Sequence, residues 1–328
     1  MEIIWGIQFD EVVLLAKQVG LAIMGAPALW GLVFSITDIR KKYDSAWIID
    51  DWISMRIFIL FMFGLLLSVA SHIISLPALT AYAHEGITVP STSSEILATY
   101  PLNTILFMIL ISGTIFMLLL YNKNKERFSY IITPFYAIAF ALTFFIISFN
   151  AWRGYFDGTQ IFFFIHGFHS IFTLGTVIVL DFLFLISSRS EILKQHIYEL
   201  FPTISRVIWV GLSLDFISVY FITDAFIVTE KLLFTQTVVG ILIINGVLLS
   251  GPIARKMIEA VKTGGQPASK WRRIGSFSGA LSITSWLTIT ALDFFTQLTL
   301  NYQHLALLYL SVFICAFIGH TIFEKRFS

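Results

Sequence analysis

Ionisable side chains set inside long apolar stretches are where this sequence could do chemistry: Lys17, His72, His166, His169, Asp181, Asp215, Asp224, Asp293 and His320. In hydrocarbon each costs a few kcal/mol unless it is paired or hydrated. His72 falls about eight residues below the outer end of the stretch 57–80, and His169 about nine below the outer end of 160–187. At a rise of 1.5 Å per residue both are roughly 12–14 Å deep, and so level with one another. His166 lies one turn above His169 on the same face. Two histidines at equal depth on two helices are what axial ligation of a b-type haem requires, and they suit copper or zinc equally. His72, His166 and His169 are therefore the candidate cofactor and metal ligands, with Phe162, Phe163, Phe164, Phe168 and Phe172 crowded around them. The plain alternative is that they hydrogen-bond to carbonyls or waters within the bundle and bind nothing.

The carboxylates make a second set. Asp181 follows His166 by fifteen residues, about 60° around an ideal helix. Asp215 lies mid-way along the next stretch, which a short loop makes an antiparallel neighbour. Together with Lys17 these acids could relay a proton or pass a cation. Their alternative role is structural, a neutral Asp bonded to a serine or a backbone group. Lys17, near an outer end, can snorkel to the membrane surface. Asp224 and Asp293 are close enough to outer ends to be wet.

The elements that must position these groups are transmembrane helices. Apolar stretches cover about 12–37, 57–80, 101–121, 129–150, 160–187, 207–228, 233–250, 274–296 and 303–322, each near or above the ~20 residues that cross a hydrocarbon core. All of the 21 Lys and Arg except Lys17, Arg153 and Lys231 fall in 38–56, 122–128, 188–206, 251–273 and 323–328. Basic segments stay cytoplasmic. The expected fold is therefore all-α, a polytopic bundle of nine transmembrane helices forming one domain over residues 1–328, N-terminus outside and C-terminus cytoplasmic. It would sit in the cell's inner membrane with the lipid bilayer as its first partner.

Composition agrees: 57% hydrophobic, 16% aromatic and 12% charged, with mean hydropathy +0.84, is more apolar than a soluble domain of this length needs. The net charge of +1 is spread over five loops, which excludes a nucleic-acid face. The acidic start, MEIIWGIQFDE, lacks the pattern of a cleaved signal peptide. Cys315 alone excludes an internal disulfide and a Cys-cluster metal site and reads as a packing residue.

Helix contacts are legible too. Gly20, Gly25, Pro27 and Gly31 suit a kinked or broken first helix. Gly275 and Gly279 open the eighth span with a small-residue step, and Asn245 would bond a neighbouring helix. Trp30, Trp209 and Trp286 read as core, and Trp47, Trp52, Trp152 and Trp271 as interfacial anchors. The segment 81–100 reads as an exposed outer loop. Residues 263–267 read as a turn between two short basic helical ends. No halfway repeat is convincing.

The segments FIHGFHSIFTLGTVIVLDFLF (164–184), SRVIWVGLSLDFIS (205–218), IINGVLL (243–249) and SGALSITSW (278–286) resemble a group of uncharacterised bacterial polytopic membrane proteins. That group is similar to the CopD-type copper-resistance family, in which a His opens a span and a small residue follows one or two turns later. Here His166 or His169 with Gly175 would hold those positions, and the resemblance spans residues 160–290. Leu174 stands where that pattern has Trp, and no outer loop is Met-rich. The resemblance implies copper handling.

Soluble-enzyme signatures are missing: no Walker loop, dinucleotide fingerprint, HExxH or GxSxG. Three readings stay open. The first is a haem- or metal-binding redox or metal-handling protein, with a membrane or periplasmic redox partner. The second is a proton- or cation-coupled transporter of a small solute. The third is a scaffold without ligand, which would have every buried polar group satisfied.

Overall fold

Apolar runs too long for a soluble core, bounded by charge clusters and Gly/Pro breaks, fold here as long helices. The computed structural model describes residues 2–4, 7–36, 46–84, 91–151, 158–187, 201–214, 217, 229–263, 269–295, 298 and 300–327. A small antiparallel hairpin, β1 (Glu2–Ile4) and β2 (Ile7–Gln8), precedes an all-α chain. The helices are α1 (Phe9–Ile36), α2 (Ala46–His84), α3 (Ser91–Lys123), α4 (Lys125–Ala151), α5 (Gly158–Ser187), α6 (Phe201–Leu214), α7 (Glu230–Leu248), α8 (Ala254–Lys262), α9 (Ser269–Phe294) and α10 (Tyr302–Phe327).

Among the described residues seven helices are long and apolar enough to cross a membrane. They lie in α1, α2, α3, α4, α5, α7 with its extension, and α10. By helix length and hydropathy the chain is a multi-pass membrane protein. The expected span 207–228 falls largely outside the described residues, where α6 is a shorter apolar helix. The expected span 274–296 does form a helix, α9, but its Ser, Thr and Gly content keeps its hydropathy below that of the other seven.

The segment 81–100 departs from the loop expected of it. The helix α2 runs on to His84 and α3 begins at Ser91, three turns before the apolar run. In α3, Ser91, Thr92, Ser93 and Ser94 are residue types that favour helix starts as well as loops. The turn expected at 263–267 is described only at Thr263, with α8 and α9 on either side.

The chain divides into two compact units. One comprises Val12–Val179 with Leu214–Thr223, and here it is called the amino-terminal unit. The other comprises Met1–Glu11, Leu180–Ser213 and Asp224–Ser328, the carboxy-terminal unit.

In the amino-terminal unit α1 is the most enclosed helix, with 67% of its apolar window buried. Its neighbours approach through residues that lack side chains. A Cβ at Gly20 would lie 2.5 Å from Ser68 Oγ and 2.7 Å from Ser68 N, and one at Gly64 would collide with the backbone of Ile23 and Met24. One at Gly175 would collide with the Ala22 carbonyl, and one at Gly25 would lie 3.2 Å from the Phe172 ring. The last two contacts are reciprocal: Gly25 corresponds to Gly175 and Ala22 to Phe172 under one shift along the chain. The helices α1 and α5 therefore meet about a local two-fold. The Trp30 indole, buried as expected, donates to Thr176 Oγ1 across that seam at 3.1 Å.

Aromatic rings lock α4 to α5. Phe164, Phe168 and Phe172, spaced four apart, stack along α5, and Phe140 and Phe144 of α4 meet them edge-on at 5.3–5.8 Å. These phenylalanines therefore serve helix packing. The helix α3 packs on α4 and exposes Ile105, Met108, Ile109, Ile115, Phe116 and Leu119, as a lipid-facing helix does.

In the carboxy-terminal unit α7, α9 and α10 pack together. The N-cap Thr229 accepts from Leu232 N at 3.1 Å. Asn245 Nδ2 donates to Ser278 O at 2.8 Å, the interhelical bond its sequence position implies. A π-turn, Leu249–Ile253, follows α7 where Pro252 removes a backbone donor from the ladder. The helix α8 then buries Met257 with Ile253 against Phe184, Leu249, Trp271 and Ile274. The small residues of α9 receive side chains, not a backbone: Met257 Cε lies 2.7 Å from a Cβ placed at Gly275, and Asp181 Oδ1 lies 3.4 Å from one at Gly279. Trp286 is buried. Trp209 is half-exposed instead, its Nε1 3.5 Å from Ser250 Oγ. Cys315 is exposed on α10, so it is not a core residue.

Substituting Gly64 by Val forces α1 and α2 apart at a backbone contact. We expect a loss of about 1–3 kcal/mol, the usual cost of overpacking. Gly167→Ala, where a Cβ meets nothing within 4 Å, should be neutral. Thermal unfolding of the detergent-purified variants measures both.

Candidate functional site

The site grows from the seam between α1 and α2. Gly20 opposes Ser68 and Met24 opposes Gly64, so facing positions of these antiparallel helices sum to 88. Lys17 is thus level with Ser71, beside His72. Along α1 and α5 the contacts Ala22–Gly175 and Gly25–Phe172 centre on a register of about 150 positions, which sets Lys17 level with Gly167, between His166 and His169. By these registers His72 and His169 fall within about one turn of each other's level, with Lys17 between them.

His72 is 3% exposed and held on every side. Its ring stacks on Tyr100 at 3.9 Å and tilts against Phe107 at 5.2 Å. Tyr100 Oη and Ser75 Oγ both donate to the His72 carbonyl at 2.8 Å. Nε2 lies 2.9 Å from Thr104 Oγ1, whose own hydroxyl donates to Tyr100 O at 2.9 Å. A hydroxyl has one hydrogen, so Thr104 accepts from His72 Nε2–H. We assign the neutral imidazole on that basis with Nδ1 as a bare lone pair. That Nδ1 is buried and has no hydrogen-bond partner among the described residues.

Lys17 is 7% exposed and lies within electrostatic range of His72. Enclosure by protein replaces the exposed, snorkelling side chain expected from its position. The cause is the glycine seam, which brings α2 against α1 one turn further along. No carboxylate among the described residues pairs with Lys17.

The His166 and His169 rings meet edge-to-face at 5.6 Å. His169 is buried and His166 half-buried. Asp181 belongs to the carboxy-terminal unit, half-buried beside Gly279 of α9. Asp215 and Asp224 lie outside the described residues, as does the side chain of His320. Asp293 is exposed, as expected of a group near a helix end. Nearby, Lys231 Nζ donates to Phe295 O at 3.0 Å. Among the described residues no three His, Cys, Asp or Glu side chains come together in a group that could hold a metal ion.

Sequence reasoning passed over Tyr100, Thr104 and Ser68. The first two are one turn apart and face α2 together, but they sit at the junction of the segment read as a loop. The available signal was the i, i+4 pairing of a Tyr and a Thr at the mouth of an apolar run. Comparison with known protein families, with curated proteins and with solved structures returns no match.

Removing the Thr104 hydroxyl isolates this network. Thr104→Val should cost about 0.6–1 kcal/mol, the usual worth of an interhelical bond in a membrane. The same substitution placed on His72→Phe should cost less, and a double-mutant cycle on unfolding in mixed micelles measures the coupling.

Proposed function

We propose that this chain is an inner-membrane transporter that moves a small solute together with protons. Its topology follows the basic segments: nine spans, N-terminus outside and C-terminus cytoplasmic. The observation that carries the reading is Lys17, an ammonium enclosed within the bundle, with no carboxylate partner among the described residues and within electrostatic range of His72, whose Nδ1 has no hydrogen-bond partner there. An ionisable residue inside a membrane protein marks a solute or proton pathway by default. Here the two groups are a donor and an acceptor on neighbouring helices. A proton passed from Lys17 to Nδ1 moves the charge from α1 to α2, and Thr104 keeps the imidazole in the tautomer that can receive it.

A scaffold would leave no buried polar atom idle, and His72 Nδ1, Ser68 Oγ and Thr284 Oγ1 have no hydrogen-bond partner among the described residues. A second reading, a His-held metal or b-type haem as in the copper-related resemblance, draws support from that same Nδ1 and from the His166–His169 ring contact. His72 with His166 and His169 would hold the group, which would supply electron transfer or metal exchange. Weighing against it, Nε2 is committed to Thr104 and Tyr100 covers a ring face.

Proteoliposomes with a trapped pH dye, placed under an imposed membrane potential, test the transport reading. Wild type should carry protons, and Lys17→Met and His72→Phe should each lower the flux at least tenfold. Cys315→Ser on the exposed face of α10 should not. Unchanged flux in Lys17→Met defeats the reading. A Soret band or a stoichiometric metal in the same preparation, lost in His72→Ala and His169→Ala, favours the second.

A further inference from the structure

We infer that Lys17, Ser68 and His72 form a binding site for a small monovalent anion, a halide or a short carboxylate, inside the amino-terminal unit. As a statement about cargo this rests on the transport reading; as a statement about binding it does not.

The hydroxyls of this chain have a habit that Ser68 breaks. Thr114, Thr143, Ser148, Ser285 and Thr290 each donate to the carbonyl four residues earlier at 2.7–2.9 Å, the usual way a membrane helix satisfies them. Ser68 is fully buried and makes no such bond; its Oγ lies against α1, 2.5 Å from where a Cβ of Gly20 would be. One turn along α1 from Gly20 is Lys17, and one turn along α2 from Ser68 is His72. All three side chains are more than nine-tenths buried, and two have polar atoms without a hydrogen-bond partner among the described residues.

The chemistry of that donor set is specific. A buried ammonium with no carboxylate either gives up its proton or takes a counter-ion. Lys17 offers three N–H donors and no acceptor. One suits the lone pair on His72 Nδ1, which would orient the ammonium; the Ser68 O–H has no acceptor among the described residues. An ammonium and a hydroxyl donor within a turn of each other along a buried seam are what an anion needs and a cation cannot use. The tightness of the Gly20–Ser68 contact limits the ligand to a few heavy atoms, and one positive charge limits it to one negative charge.

The test uses the purified full chain in detergent, with melting followed by the fluorescence of its 8 Trp. Sodium chloride, formate and acetate are titrated against gluconate at constant ionic strength. A small anion should raise the melting temperature saturably by several degrees, because a ligand bound only by the folded state stabilises it; gluconate should not. Lys17→Met should abolish that rise while melting no lower than wild type in gluconate, since it removes an uncompensated charge. Ser68→Ala should raise the half-saturating concentration at least threefold, and it carries the test should Lys17→Met not fold. A melting temperature indifferent to all three anions, or a saturable rise surviving in Lys17→Met, or an unshifted half-saturation in Ser68→Ala, overturns the site. Saturable anion stabilisation without proton flux in liposomes would remove the transport reading and leave the site standing; flux without anion stabilisation would do the reverse.

Discussion

The amino-terminal unit depends on how closely other helices can approach α1. Between helices in a membrane there is little hydrophobic gain, since lipid tails are as apolar as leucine, and association rests on van der Waals contact and interhelical bonds. Gly20, Gly64 and Gly175 supply the contact by removing side chains where backbones meet. The Trp30–Thr176 bond then ties α1 to α5, and the Tyr136 hydroxyl bond to Ser54 O at 2.9 Å ties α4 to α2. Enclosure of α1 follows from the glycines, and enclosure of Lys17 follows from that of α1.

The polar groups divide into two kinds under this constraint. Most are satisfied locally: hydroxyls bond back to their own helix, Asn245 bonds to Ser278 O, and the Tyr100, Ser75 and Thr104 bonds hold His72 in one orientation. These fix geometry without offering anything to a ligand. Lys17, Ser68 Oγ and His72 Nδ1 are the other kind. They collect on one side of the α1–α2 seam, where local satisfaction would have been easy for Ser68 and is not used.

Much of this was legible in the chain. Charge placement and stretch length marked helices that the structure builds. What escaped depended on which helices touch. Lys17 looked free to snorkel because nothing in a linear sequence says that α2 packs against α1 beside it. The helix α9 looked like any other span, yet its buried Ser276, Ser278, Thr284, Ser285 and Thr290 face protein. A helix satisfied by its neighbours need not be apolar all round, and hydropathy therefore ranks it below the rest. The segment before Tyr100 looked like a loop because Ser and Thr favour loops and helix starts alike. There the helix start prevails, and Tyr100 joins Thr104 on one face. Asp181 lies against Gly279 of α9, a neighbour that carries no side chain to reveal it.

The two findings on α1 are physically one. An ammonium on a flexible four-carbon stem escapes an apolar environment whenever it can reach an interface. Keeping it inside requires neighbours packed too closely for the stem to swing out, and backbones packed that closely require glycine. The collisions that a Cβ would cause at Gly20 and Gly64 are therefore a condition for retaining a charge at Lys17, as well as a condition for packing. The reciprocal contact of Gly25 and Gly175 adds a second helix at the same depth. A larger residue at any of these positions would loosen the seam and give Lys17 a way to the surface. The uncompensated charge, and any chemistry it does, would be lost even though Lys17 itself is unchanged.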